Sequence, residues 1–238
     1  VLRGAQADTL TTNGLNLSSA EAGRILSNWT SVVLGSTAAG DLTNNYASWL
    51  NPVTFISGND FINSTAINAA AASTILVRAT RDVVLNQSIT TANTTANAIT
   101  LVAGRNLNNV IGATALTTGA GGRWLVYSTN PTGSVGEQLL SNAFNRYTCT
   151  YGGSCPTLSA GNGLLYTFTP LVDVTISGQT YAYGDAVITP TGYALSTSNY
   201  LNALDTSQGT IGGTGIFQTS YVQGNNAGTT YTITDNGS

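Results

Sequence analysis

The sequence of 238 residues contains no lysine, histidine or methionine, and only 7% of it is charged. Each absence removes a class of chemistry. Without histidine, and with two cysteines, the usual His/Cys zinc sites have no ligand set. Without histidine or lysine there is no general base beside a serine, and no Gly-x-Ser-x-Gly elbow occurs. The glycine-rich stretch Gly119-Ala120-Gly121-Gly122 lacks the Lys-Ser/Thr that completes a phosphate loop. Seven arginines against ten acidic residues, a net charge of −3, provide no clustered basic footprint for nucleic acid and no attraction to an anionic membrane surface. No run approaches the roughly 18 to 20 apolar residues that span a bilayer. Val1-Leu2-Arg3-Gly4 has neither an initiator methionine nor a signal-peptide core, so the expectation is a mature or excised piece. No cofactor is expected.

What remains is a chain that is 42% hydrophobic, rich in Ala, Thr, Asn, Ser and Gly. Disordered chains combine low hydrophobicity with high net charge, so this composition predicts a folded, β-rich protein. Cys149 and Cys155 flank a segment containing Gly152 and Gly153. The spacing fits a short disulfide loop, worth about 2 kcal/mol in the chain-entropy model and implying an oxidising compartment. Two free thiols in a flexible loop are the alternative.

Three segments align without gaps: Phe55-Ile56-Ser57-Gly58-Asn59-Asp60-Phe61, Val77-Arg78-Ala79-Thr80-Arg81-Asp82-Val83 and Leu101-Val102-Ala103-Gly104-Arg105-Asn106-Leu107. They start 22 and 24 residues apart, and Val33-Leu34-Gly35-Ser36, 22 before Phe55, reads as a weaker fourth copy. One turn of a right-handed parallel β-helix has this length, and each strand must pair with its equivalent in the next turn. The expected rungs are Phe55, Val77 and Leu101, and Phe61, Val83 and Leu107. Asp60, Asp82 and Asn106 suit a corner, and Asn63, Asn86 and Asn108 suggest a polar ladder. Ile99 to Pro131 reads as the last turn and its exit. There Gly121 and Gly122 supply backbone freedom, and Trp124 plugs the end as the junction between the helix and the rest of the chain.

The flanking segments are less regular. Gly14 to Ile25 reads as a strand-corner-strand coil, although Ser18 and Ser19 before Glu21 offer a helical cap. Asp41 to Pro52 reads as a loop or insertion, Ala66 to Ala72 as a short helix or tight corner, and Thr90 to Asn97 as an outward connection. Val135 to Thr148 has Leu139, Leu140, Ala143, Phe144 and Tyr147 at helical spacings and predicts a short capping helix. From Gly163 the pattern becomes two-residue alternation broken by Gly and Asn clusters, which predicts a small antiparallel sandwich-like module. The fold expected is therefore all-β: a parallel β-helix over residues 1–130, a capping segment with the disulfide loop over 131–164, and a β-sandwich-like module over 165–238.

GLNLSSAEAGRI from Gly14, LVAGRNLNNV from Leu101 and, above all, GGRWLVYSTNP from Gly121 resemble the C-terminal parts of filamentous-haemagglutinin-like exoproteins, the large β-helical adhesins that bacteria export by two-partner secretion. YTFTPLVDVTISGQTYAYGDA, ending in Tyr183-Gly184-Asp185-Ala186, is similar to the start of an MBG/YDG-type repeat, a small β-sandwich. The resemblance covers most of the chain and implies no catalytic motif. It implies a secreted or cell-surface structural protein that adheres or forms a biofilm matrix or filaments.

On that reading the partners are further copies of the chain, a host or neighbouring cell surface, or a glycan. Strand edges suited to self-assembly are Val172, Val174 and Ile176, and Tyr231 and Ile233. Tyr181, Tyr183, Tyr193, Tyr200 and Tyr221 are candidate contacts. The alternative is a β-helical protein that binds or cleaves polysaccharide, for which Asp60 and Asp82, with Arg81 and Arg105 beside them, are the only clustered candidates. Thr90, Thr91, Thr94 and Thr95 suggest an ice- or mineral-binding face, but no Thr ladder recurs at coil spacing.

Overall fold

The computed structural model describes residues 19–25, 27, 29–70, 73–155, 157–169, 172–176, 186, 193–197, 217–219 and 233–235. The chain divides into two compact units, Val1–Thr169 and Pro170–Ser238.

The described residues of the first unit begin with a single helical turn, α1 (Ser19–Ala22), where the sequence suggested a strand-corner-strand coil from Gly14 to Ile25, of which residues 14–18 lie outside the described residues. Four coils of short strands come next. The first holds β1 (Val32–Gly35) and β2 (Leu42–Asn44), and the second β3 (Val53–Ser57), β4 (Phe61–Asn63) and β5 (Ile67–Ala69). The third holds β6 (Ile75–Ala79), β7 (Val83–Leu85) and β8 (Ile89–Thr91), and the fourth β9 (Ile99–Ala103), β10 (Leu107–Asn109) and β11 (Leu116–Thr117). β12 (Trp124–Ser128), β13 (Phe144–Arg146) and β14 (Gly163–Tyr166) complete the unit. Equivalent strands pair in parallel into sheets of seven, four and three strands, in the orders β1-β3-β6-β9-β12-β14-β13, β2-β4-β7-β10 and β5-β8-β11. The unit is thus a β-solenoid.

Alternation along each strand sends one set of side chains inward. Phe55 stands beside Val77 and Val77 beside Leu101, while Phe61, Val83 and Leu107 stack in the second sheet; all six are essentially inaccessible to solvent. At about 25 cal/mol per Å² of apolar surface, each such side chain contributes roughly 1.5–3 kcal/mol. In the first two coils, Tyr46, Trp49, Phe55 and Phe61 form an aromatic chain with ring centroids 5.1 to 5.3 Å apart.

The corner after the first sheet explains the Gly/Thr position of the repeat. A Cβ on Gly58 would lie 2.0 Å from the Ala39 carbonyl oxygen, and one on Gly104 2.2 Å from that of Thr80. Glycine is required where neighbouring coils come this close. Between them Thr80 donates its hydroxyl to the Gly58 carbonyl, and Thr129 donates to that of Gly104 at 3.0 Å.

Several segments depart from the sequence-based expectation. Leu34, not Val33, pairs with Phe55. Leu34 is buried and Val33 only partly so, and since a one-residue slip reverses the two faces, burial of the larger side chain decides the register. Within Asp41 to Pro52 lies the strand β2, and within Ala66 to Ala72 the strand β5, because backbone pairing with neighbouring coils overrides alanine's helix preference. Thr90 and Thr91 belong to β8, with the Thr91 hydroxyl turned inward onto the Ser73 carbonyl at 2.8 Å.

The asparagines also fall differently. Asn63 pairs with Leu85 and Asn108 with Val84, while Asn86 is exposed. The side chains that occupy the inner corner are Asn44, Asn63 and Asn109: Asn44 donates to Asn63 Oδ1 at 2.9 Å, Asn63 to the Gln87 carbonyl at 2.8 Å, and Asn109 to the Gly112 carbonyl at 2.9 Å. Leu85 takes the same place in the coil between.

Among its described residues the second unit contains two antiparallel pairs. β15 (Val172–Ile176) pairs with β16 (Tyr193–Thr197), and β17 (Phe217–Thr219) with β18 (Ile233–Asp235). Val172, Val174 and Ile176 lie on β15, Ile233 on β18 and Tyr193 on β16. Tyr181, Tyr183, Tyr200, Tyr221 and Tyr231 lie outside the described residues.

Candidate functional site

The only charged cluster foreseen from the sequence is a ladder along one corner of the solenoid. Arg81 Nε donates to Asp60 Oδ1 at 2.8 Å, and its Nη2 lies 2.5 Å from Oδ2. One coil on, Arg105 makes the same two bonds to Asp82, at 2.8 and 2.5 Å. Each carboxylate also accepts the backbone N–H of the next corner residue: Asp60 from Asp82 at 3.0 Å, and Asp82 from Asn106 at 3.1 Å. Asp41 repeats the pattern below them, taking the Asn59 side chain at 2.5 Å and the Asp60 N–H at 3.1 Å. Its place was readable as Asp41-Leu42 matching Asp60-Phe61 and Asp82-Val83, but that coil is shorter than its neighbours.

Burial pushes the Asp60 carboxyl up, but hydrogen bonds from Arg81 and the Asp82 N–H outweigh it and the acid ends below its usual range. The hydrogen bond from Arg105 leads the lowering at Asp82. Both arginines are held more strongly protonated than usual, chiefly by these same bonds. Carboxylates so fully occupied are poor general bases and poor metal ligands. Among the described residues no group of three or more His, Cys, Asp or Glu side chains is placed to hold a metal.

The end of the solenoid is organised differently. β12 pairs with β9 on one side and β14 on the other, and β13 lies beyond β14. The chain therefore skips one strand position on leaving β12, forms the outermost strand, then returns to fill the gap. Trp124, paired with Ile99 and buried, stands inside the sheet, which continues two strands past it.

Between β12 and β13 the helical spacing of Val135 to Thr148 yields only a 3-10 turn, Glu137–Leu139. Val135 instead bridges to Asn108 and extends the second sheet, and Phe144 to Arg146 are recruited as β13. Gly136, at φ 65, makes the turn, and a Cβ there would lie 2.1 Å from the Asn109 carbonyl oxygen.

The return loop covers the outer face of the first sheet. Cys149 and Cys155 are disulfide-bonded. Cys149 packs with Leu125, Phe144 and Leu165, and Tyr127, Cys155 and Leu158 close around them. Thr148, at φ 55, turns the chain into this cover, an unusual conformation for a β-branched residue. Tyr151 meets Tyr127 edge-on with centroids 5.3 Å apart, and the Arg78 guanidinium sits 5.6 Å from the Tyr151 ring. Burial raises the Tyr127 hydroxyl above its ordinary pKa. Arg146 donates to the Ser159 hydroxyl at 2.9 Å and Arg123 to the Ser159 carbonyl at 3.4 Å. Phe144 lies over Gly163, where a Cβ would fall 2.2 Å from the ring.

Inside the same end is Glu137, wholly buried, which no motif singled out. Ser128 donates to its Oε1 at 3.1 Å and Ser134 supplies a second hydroxyl, while Oε2 has no hydrogen-bond partner among the described residues. Burial pushes its pKa up to about 7, and the two serines offset only part of that. The sequence signal was its rarity: the chain has two glutamates, and this one lies in the sparsely charged stretch Val135-Gly136-Glu137-Gln138-Leu139-Leu140.

No helix among the described residues is long and apolar enough to cross a membrane. No family model, curated protein or solved structure matches the chain.

Proposed function

We propose that this chain is a bacterial extracellular structural protein, in which the solenoid supplies a stiff element and the second unit supplies contacts for adhesion or for assembly into filaments. The observation that carries the reading is the corner ladder. The carboxylates that would have to do chemistry are tied by arginine and backbone bonds to the next coil, where they serve stacking. This favours a scaffold over polysaccharide cleavage. The disulfide fits an oxidising, extracytoplasmic setting, and the resemblance to filamentous-haemagglutinin-like exoproteins points the same way. In this reading self-association uses strand addition at β15 or β18, each paired on one side only among the described residues.

Electron microscopy of the full chain at rising concentration tests assembly: filaments are expected, and monodisperse particles at every concentration would remove it. Binding to host cells, neighbouring bacteria and a glycan array tests adhesion, and a blank result on all three would leave a scaffold alone. Turnover of an acidic polysaccharide that is lost in Asp82→Ala would replace the proposal with the enzymatic one.

A further inference from the structure

Glu137 occupies the turn on which the second sheet ends. The Val135 N–H donates to the Leu107 carbonyl at 3.0 Å, the Asn109 N–H to the Val135 carbonyl at 2.8 Å, and Asn109 Nδ2 to the Gly136 carbonyl at 3.1 Å. Ser134 Oγ, which hydrogen-bonds Glu137, accepts the Leu107 N–H at 3.1 Å. The edge of β10 is therefore covered by residues 134–136, and the next residue is a carboxyl with one unpartnered oxygen in the solenoid interior.

Among the described residues, the surroundings of that carboxyl offer no counter-charge. From β12 it meets Ser128. The neighbouring β12 residue Tyr127 packs against Tyr151 of the return loop on the opposite face. On β14, Tyr166 stands beside Ser128 in register and stacks on Tyr147, with centroids 5.2 Å apart. Both are phenols and bring no positive charge to the site. β10 contributes Leu107 and Asn109. The corner charges that precede β10 and β7, Arg105 and Asp82, are bound to each other, and Arg146 of β13 engages Ser159. A neutral carboxyl here leaves one oxygen short of a partner, whereas a carboxylate would leave a net charge solvated by two hydroxyls.

We propose that the proton on Glu137 holds the terminal turn closed, so that its loss opens residues 134–140 and frees the edge of β10. Because the carboxyl's pKa is higher closed than open, closure is firmest in acid. It weakens as pH rises from the ordinary carboxylate range through about 7. Opening would expose the Leu107 carbonyl and the Asn109 N–H as an unpaired strand edge, the kind of surface on which a further strand adds. The proposal is independent of the proposed function, since it concerns the solenoid's own closure.

The test uses the full chain with its disulfide intact and ¹³C-labelled glutamate. With only Glu21 and Glu137 present, two side-chain carboxyl curves result, and sequence-specific assignment identifies Glu137. Its midpoint is expected near 7. Amide protection at Asn109 and Val135, corrected for intrinsic exchange, is expected to fall about tenfold between pH 6 and 8.5, while β6 amides hold theirs. In Glu137→Gln that fall should vanish. A midpoint below 5, or protection at Asn109 and Val135 that does not change with pH in the unmodified chain, overturns the proposal. So does the same fall in Glu137→Gln. The first two outcomes do not depend on the variant folding.

Discussion

The middle coils and the terminal coil solve the same problem, burying a column of apolar side chains, in opposite ways. In the middle, sequence order is spatial order: β3, β6 and β9 follow one another along the chain and along the sheet, and the charged corner lies outside with every carboxylate paired. At the end, sequence order is broken. β14 enters between β12 and β13, the outer face is buried under a disulfide-tied loop, and inside lies a carboxyl with no counter-ion among the described residues. A repetitive stack has no intrinsic place to stop, and an unfinished edge invites another strand. The irregular end makes that edge short: β13 has three residues and carries Arg146.

The most damaging substitution breaks the end alone. In Gly163→Val the new side chain meets the Phe144 ring, so β14 cannot seat against β13. A loss of about 3 kcal/mol or more is expected, read by chemical denaturation, with partial recovery in Gly163→Val/Phe144→Ala. If Gly163→Val is tolerated within about 0.5 kcal/mol, the close packing of β14 on β13 is not real.

Comparable in size but placed in the middle, Leu101→Ala removes a fully buried rung and is expected to cost about 2–5 kcal/mol. Its outward neighbour Val102→Ala should cost under about 1 kcal/mol. Equal costs would contradict the alternation of faces.

Smaller again is the disulfide. Cys149→Ser/Cys155→Ser should lower stability by about 2 kcal/mol and make residues 147–162 the first site of proteolysis, leaving protection in β3, β6 and β9 unchanged. Loss of protection throughout would mean that the middle depends on the staple.

The smallest effect belongs to the ladder. Asp60→Asn or Asp82→Asn should each cost about 1 kcal/mol or less, since the arginine partners are half-exposed and screened by salt. The two regions also respond oppositely to pH. The lowered acids Asp60 and Asp82 contribute above the usual carboxylate range, and that contribution is lost as pH falls below 3.8. Glu137 contributes most in acid and loses its contribution towards about 7. A thermal-melt series from pH 3 to 9 should show both flanks, the acid one reduced by Asp82→Asn and further by Asp60→Asn/Asp82→Asn, and the alkaline one removed by Glu137→Gln.

The sequence showed the middle because repetition is visible as spacing. Phe55, Val77 and Leu101, with an acid or Asn before each second rung, stand out without coordinates, and Asp60 and Asp82 emerge as neighbours of Arg81 and Arg105. Where coil length changes, the same signal slips: one residue at Val33 and Leu34, and a whole coil at Asp41. The end was hidden for a different reason. That Phe144 to Arg146 forms a strand depends on Gly163, far along the chain, leaving room for the Phe144 ring. No local preference reports this, and the helical spacing of Leu139, Leu140 and Phe144 points the other way. Glu137 escaped notice because burial of a lone carboxyl is a property of the folded interior, not of a motif.

Backbone nuclear Overhauser contacts at Leu164 decide whether the stack is closed by a strand inserted out of order. Contacts from Leu164 to both Val126 and Asn145, with none between β12 and β13, are predicted. Direct contacts between β12 and β13, with β14 beyond them in chain order, would contradict it.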